Sequence, residues 1–168
     1  MKTNEQALSA ERLRALLDYN PETGIFTWKT CRGGGSPEVG EIAGTKGDQG
    51  YQCILIRPYR YKAHRLAWLY VHGKWPAGQI DHKDGVPDHN WIANLRLATI
   101  SQNCSNRIVS ASSGLKGAYY HKHSRIWYSS IGKNGKQIHL GTYDTAEEAH
   151  AAYVKAANKL FGEFARIA

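Results

Sequence analysis

At 168 residues the chain is long enough for one ordinary domain or two small ones, and 22 Lys and Arg against 14 Asp and Glu give it a formal net charge of +8. Its three cysteines, Cys31, Cys53 and Cys104, are odd in number and lack CxxC spacing, which argues against a disulfide framework or a structural zinc site and fits a reducing compartment. No run approaches the roughly 18 apolar residues of a membrane span, and Met1–Ala10 lacks the apolar stretch of a signal peptide, so a cytoplasmic location is expected.

Taken in chain order, the first element reads as a helix: Ser9 as N-cap, Glu11 in the first turn, and Leu13, Leu16 and Leu17 on one face. Asn20–Gly24 is a turn and Ile25–Trp28 a short strand. Residues 31–50 are glycine-rich loops around a short strand near Val39–Ala43. Tyr51–Arg57 and Tyr61–Ala63 read as a hairpin turning at Pro58-Tyr59-Arg60. His64–His72 reads as a helix ended by Gly73-Lys74-Trp75-Pro76. Gln79–Asp81 is a strand, Lys83–Trp91 a polar loop and Leu95–Ala98 a second strand. Thr99-Ile100-Ser101-Gln102 has the pattern of a capping box, which puts Asn103 in the opening of a short helix. Ser110–Gly114 has the composition of a linker. Beyond it lie three strands, near Gly117–His121, Ile126–Ile131 and Gln137–Thr142, the last two joined through Asn134-Gly135, a strong hairpin signal. Thr145-Ala146-Glu147-Glu148 opens a helix running to about Leu160, with Ala149, Ala152, Tyr153, Ala156 and Leu160 on its packed side.

The charge is uneven. Residues 1–50 carry six basic and seven acidic side chains, residues 51–111 eight and three, and residues 112–168 eight and four. Residues 51–80 hold no acid at all, only Arg57, Arg60, Lys62, Arg65 and Lys74. A basic field of this kind suits a polyanion, although it serves equally as a solubilising surface.

The chemistry lies between residues 81 and 103. Asp81 offers an oxygen ligand for a hard cation such as Mg2+. His82 is a base whose imidazole can take a proton from water near neutral pH. Asn103 offers an amide oxygen as a second ligand, and Asn94 braces the loop and holds His82. Two protein ligands leave room for water and a substrate phosphate. Asp84-Gly85 reads as a turn, Asp88 and His89 as solvated loop residues, and His64 and His72 as packing or phosphate contacts. His121 and His123 share one face of a strand without further ligands, which is a poor zinc site.

The run Ile80-Asp81-His82-Lys83-Asp84-Gly85, Asn90, Asn94-Leu95-Arg96, Thr99 and Ser101-Gln102-Asn103 resembles the HNH endonuclease motif, in its phage and intron homing form in which asparagine replaces the final histidine. His64-Arg65-Leu66-Ala67-Trp68 matches the helix that precedes the motif, while Asn90-Trp91 departs from the usual Asn-Arg or Asn-Asn pair. The resemblance implies a ββα-metal fold, a divalent cation on Asp81 and Asn103, His82 as general base, Asn94 as its orienting residue, and hydrolysis of one strand of double-stranded DNA.

Residues from Ser113 onward resemble a second family. Ser113-Gly114-Leu115-Lys116-Gly117, Trp127, Gly135-Lys136-Gln137, His139–Ala149, Ala151 and Tyr153 are similar to the AP2/ERF (ethylene-response-factor) DNA-binding domain of plants, which lays a three-stranded sheet in the major groove. Tyr119 stands where that family often has arginine and His139 where it often has tryptophan; Trp127 is retained, either as a DNA contact or as packing against the helix. Basic residues with rings between them suit phosphates, sugars and base edges.

The expected fold is therefore α+β: residues 1–60 as an N-terminal extension, 61–109 as a ββα-metal nuclease core, 110–115 as a linker, and 116–168 as a three-stranded antiparallel sheet on one helix. The expected DNA contacts are Arg65, Arg96, Lys116, Tyr119, Lys122, Arg125, Trp127, Lys136 and His139. The expected activity is metal-dependent, site-specific nicking of DNA by a monomer or weak dimer with Mg2+ or Mn2+, in a bacterial or phage-infected cell, with no membrane or protein partner. Two rivals use the same surfaces: a DNA-binding regulator with a silent nuclease centre, and an RNA-binding protein.

Overall fold

The computed structural model describes residues 4–30, 37–107 and 113–167. Cys31 and residues 110–112, the first half of the expected linker, lie outside the described residues. The chain forms two compact units, residues 1–97 and 98–168.

The first unit opens on α1 (Ala10–Leu16). Ser9 caps it through its hydroxyl, which accepts the Arg12 N–H at 3.2 Å, and Ala10, Leu13 and Leu16 are buried. Leu17 does not continue the helix. It leaves in extended conformation and starts β1 (Leu17–Tyr19), which pairs antiparallel with β2 (Phe26–Trp28). The turn between them is held by Asn20 Oδ1, which accepts the N–H groups of Glu22 and Thr23. The strand expected near Val39–Ala43 reduces to one bridge between Ile42 and Thr27. The short β3 (Thr45–Lys46), β4 (Gln52–Ile56) and β5 (Tyr59–Lys62) form a three-stranded sheet. The β4–β5 hairpin closes with Ile56 opposite Tyr59, so Tyr59 and Arg60 belong to a strand rather than to the turn.

Helix α2 (Ala63–His72) follows, stopped by Gly73 at φ +72 with its N–H on the Leu69 carbonyl. Leu66, Ala67 and Leu69 enter the core with Leu13, Leu17, Phe26 and Ile54. Strands β6 (Gln79–His82) and β7 (Leu95–Ala98) pair as a two-stranded sheet whose apolar residues Ile80 and Leu95 anchor it to the same core. The division between the units falls within β7, so the span expected for the nuclease core, 61–109, straddles it.

The second unit begins with α3 (Ile100–Ser105), whose capping box is complete: the Gln102 N–H donates to Thr99 Oγ1 at 3.2 Å and the Thr99 N–H donates to Gln102 Oε1 at 2.8 Å. Then come β8 (Ala118–His121), β9 (Ile126–Lys133) and β10 (Lys136–Tyr143), an antiparallel meander in the order β10-β9-β8. Asn134 and Gly135 both take positive φ, 52 and 76, as a two-residue hairpin requires. Helix α4 (Ala146–Phe161) buries Ala149, Tyr153, Ala157 and Phe161 at a spacing of four, against Ile131 of the sheet. Gly117 has no room for a side chain, since a Cβ there would meet the Tyr153 ring at 2.2 Å. Among the described residues no helix is long and apolar enough to cross a membrane.

Candidate functional site

Strand β6 ends on Asp81 and His82, both buried at 3% and 5% exposure. Burying two ionisable groups is costly unless each is partnered, and the chain supplies partners for both. Asp81 Oδ2 accepts from Arg96 Nε at 2.8 Å, across from β6 on β7. His82 Nε2 faces Asn90 Oδ1 at 3.2 Å, and Asn90 itself is only 2% exposed. The Asn90 Nδ2 donates to the Asp88 carbonyl at 3.0 Å, which identifies Oδ1 as the atom turned to the histidine. An acceptor at that position makes Nε2 the protonated nitrogen of His82 and Nδ1 the basic one. Burial holds the His82 pKa below the ordinary histidine value, with the Asn90 hydrogen bond and the carboxylates of Asp84 and Asp81 opposing it. The imidazole is therefore neutral at neutral pH.

Asn94 ties the 83–93 loop together. Its Nδ2 donates to Asp84 Oδ1 at 3.0 Å and to the His89 carbonyl at 2.8 Å, and its Oδ1 accepts the Asp84 N–H at 3.1 Å. Its own carbonyl accepts the Lys83 N–H at 2.9 Å. Asp84 and His89, read from the sequence as a turn and a solvated residue, are a bonded pair: His89 Nδ1 lies 2.6 Å from Asp84 Oδ2. Burial raises the Asp84 pKa, but hydrogen bonds from the Val86 N–H, His89 and Asn94 outweigh it and leave the carboxyl below its usual value. The His89 ring packs against Trp91 at 4.6 Å.

The N-terminal region supports this loop directly. Tyr19 Oη donates to the Asn90 carbonyl at 2.8 Å, and the Ile92 N–H donates to the Pro21 carbonyl at 3.1 Å. Gly24, at φ +76, lies so close to the Asn90–Trp91 peptide that a Cβ would meet it at 2.3 Å. Residues 19–24 are thus a buttress that fixes where Asn90 points. Behind His82 stands His64 of α2, its ring perpendicular to that of His82 with centroids 5.1 Å apart. Tyr51 flanks both rings at 5.2 and 6.0 Å, with Lys62 Nζ 4.1 Å from the Tyr51 ring centre. His64 is 5% exposed, and burial depresses its pKa to about 2.

Residues 61–104 match the HNH endonuclease family model, and residues 113–163 match the AP2 domain model. The chain is 36% identical over 112 residues to Protein 3.8 of Escherichia phage T7, an alignment that covers 63% of this chain and 92% of that protein. The chain belongs to the HNH endonuclease family. An HNH endonuclease of Acanthamoeba polyphaga mimivirus, described as uncharacterized and designated L560, is 38% identical over 109 residues; the match covers 63% of this chain but 56% of that longer protein. A solved structure of the HNH homing endonuclease I-HmuI aligns with 86% of this chain and 84% of its own at 20% identity, with a TM-score of 0.42.

Within the HNH segment, Asp81, His82, Asn94 and Arg96 gather at the β6–β7 sheet and its loop, whereas Asn103 lies on α3 of the second unit. Arg65 is placed differently from a DNA contact. Its guanidinium forms a bidentate pair with Glu5 and donates to the Gly78 and Pro76 carbonyls, stapling α2 to its surroundings. In the AP2 domain Lys116 also turns inward. It is 8% exposed, its Nζ donates to the carbonyls of Ser105 (2.6 Å) and Arg107 (2.8 Å) at the end of α3, and burial lowers its pKa to about 8. Trp127 shares the α4-covered side of β9 with Ser129 and Ile131 and pairs with Tyr120 at 5.0 Å. Tyr119, Lys122, Arg125, Lys136 and His139 are exposed. Strand β8 stops at His121, whose Nδ1 accepts the Ser124 N–H, so His123 belongs to a turn.

Asn90, Asp84 and the 19–24 buttress are the site residues that motif spacing did not assign. Asn90 carried a signal in its place within the motif, but its role depends on contacts from far earlier in the chain, Tyr19 standing 71 positions before it.

Proposed function

We propose that the protein is a metal-dependent DNA endonuclease that nicks double-stranded DNA, with His82 as general base. The observation that carries this reading is the Asp88–Asn90–His82 hydrogen-bond relay, which holds a buried, neutral imidazole in one tautomer beside an acidic residue. A buried histidine fixed in this way is suited to proton abstraction. His82 Nδ1 takes a proton from a water molecule, the water oxygen forms a new bond to phosphorus, the P–O3′ bond breaks, and the departing oxygen is protonated by solvent. Asn90 keeps the imidazole oriented; Asn94 keeps Asn90's loop in place.

The carboxylate of Asp81 is the kind of donor a hard cation takes, and Asn103 is the second proposed ligand through its amide oxygen; two such ligands would leave positions for water and phosphate. A bound Mg2+ or Mn2+ would supply electrostatic stabilisation of the charge that develops on phosphate and leaving oxygen. In the AP2 domain, Lys122, Arg125 and Lys136 are proposed phosphate contacts, with Tyr119 and His139 between them; Arg96 is assigned to Asp81. One site per chain implies a nick per event, by a monomer or weak dimer, and the phage relative suits action in the cytoplasm of a bacterial or infected cell.

A DNA-binding protein with a silent nuclease centre is the second reading, favoured by the Arg96–Asp81 ion pair, which already neutralises the proposed ligand. Supercoiled plasmid incubated with Mg2+, Mn2+ or EDTA, with His82→Ala in parallel, separates the two. Metal-dependent relaxation lost in the variant supports the endonuclease; salt-sensitive binding without cleavage in any metal supports the silent centre.

A further inference from the structure

The three-stranded sheet has one face covered by α4 and one open face. Alternation along β9 puts Ser129 and Ile131 toward the helix and Tyr128 and Ser130 on the open side. On that open side Tyr119, Tyr128 and His139 form a row of rings across all three strands. Tyr119 and Tyr128 are 5.3 Å apart and stacked at 27°, and Tyr128 and His139 are 6.3 Å apart at 31°. Tyr119 is 37% exposed and His139 is exposed, so both end rings of the row are accessible to solvent.

The side chains that usually read the edges of paired bases are scarce there. No Lys or Arg stands on the strands except Lys133 and Lys136 at the hairpin end, and the amide Nε2 of Gln137 donates to Ser130 Oγ at 3.1 Å. The charge pattern is equally specific. Residues 113–143 contain no Asp or Glu, while Lys122 and Arg125 lie at one end of the strands and Lys133 and Lys136 at the other. The acids of the second unit, Asp144, Glu147, Glu148 and Glu163, lie on or beside α4.

From this we infer that the open sheet face binds single-stranded DNA, stacking unpaired bases on the outer rings of the Tyr119–Tyr128–His139 row while the basic turns hold the phosphates. Paired bases keep their faces inside the duplex, whereas an unpaired strand offers both base faces and backbone charge to such a surface. The inference rests on the proposed DNA-binding role and specifies the form of DNA that this face takes.

The test uses the full chain in EDTA, so that no strand is cut, and measures fluorescence anisotropy with a labelled DNA strand, its duplex and an RNA strand of the same sequence at one salt concentration. The expected result is that the DNA strand binds at least as tightly as the duplex. Tyr119→Ala and His139→Ala each weaken single-strand binding about tenfold, and Tyr119→Phe holds it within about twofold, as ring stacking requires. Thermal melts of the variants report their folding; Tyr119→Phe retains the ring whatever the alanine variant does. A tighter duplex complex that is indifferent to all three substitutions overturns the inference and leaves the DNA-binding reading intact. Preference for the RNA strand also overturns it. No binding to any DNA overturns the DNA-binding reading itself.

Discussion

The loop around His82 and the open sheet face of the second unit treat polar side chains in opposite ways. In the loop, Asn94, Asp84 and His89 are bonded to one another, Asn90 to His82 and the Asp88 carbonyl, and Asn90 and Asn94 are buried. On the sheet, Tyr119 and His139 stand exposed, each with its ring against Tyr128 between them. The first arrangement fixes a geometry at the expense of desolvation; the second keeps groups available for something that arrives later. On the proposed endonuclease reading, that contrast corresponds to a rigid reacting centre and an adaptable surface for nucleic acid.

Substitutions that attack the rigid side have the largest expected effects. Asn94→Ala removes three side-chain hydrogen bonds and leaves buried groups unsatisfied, so it is expected to lower stability by about 3 kcal/mol, seen as a fall in denaturation midpoint, and to abolish cleavage with it. Asn90→Ala should act on chemistry more than on folding. The cleavage rate at saturating protein is expected to drop about 10²-fold as His82 loses its orienting acceptor, with DNA affinity retained; an unchanged rate would remove Asn90 from the mechanism.

A third expectation concerns His64. Its folded pKa, about 2, lies below the ordinary histidine value, so below that ordinary value the unfolded chain binds a proton that the native chain refuses. Stability is thus fully present above about pH 6.5 and declines as pH falls toward the folded value. Thermal melts between neutral pH and pH 5 should show this loss, and His64→Phe should flatten it. Equal slopes in the two proteins would mean that His64 is protonated where it sits. The smallest effects belong to the adaptable side. Lys122→Ala or Arg125→Ala should weaken duplex binding modestly and reduce the salt slope of log K by about 1 each; an unchanged slope would place that residue away from phosphate.

How much of this was legible in the sequence follows the same division between local and distant causes. The Thr99–Gln102 capping box, the Asn134-Gly135 hairpin and the stop at Gly73 each depend on a few neighbouring residues, and each stands where expected. β1 was missed because Leu17 continues the helical spacing of Leu13 and Leu16, and β3 because a strand of two residues carries no readable period. Charge alone could not separate Lys116 and Arg65, which bond carbonyls and Glu5, from lysines and arginines open to solvent. The face of Trp127 depends on strand register, where one residue reverses inside and outside. The motif located Asp81, His82 and Asn94. It did not show that Tyr19, Pro21 and Gly24 fix Asn90 against His82, because that closure exists only once β1 and β2 have folded beside the loop.

The most direct test of the division between reacting centre and binding surface measures, on one labelled duplex, the nicking rate at saturating protein and the Kd in EDTA for two variants. His82→Ala should lose about 10²- to 10⁴-fold in rate with Kd unchanged, and the triple variant Lys122→Ala/Arg125→Ala/Lys136→Ala should raise Kd while cutting at the normal rate once saturated. A His82→Ala protein that still nicks at the normal rate, or one whose loss is entirely a loss of binding, would contradict the account.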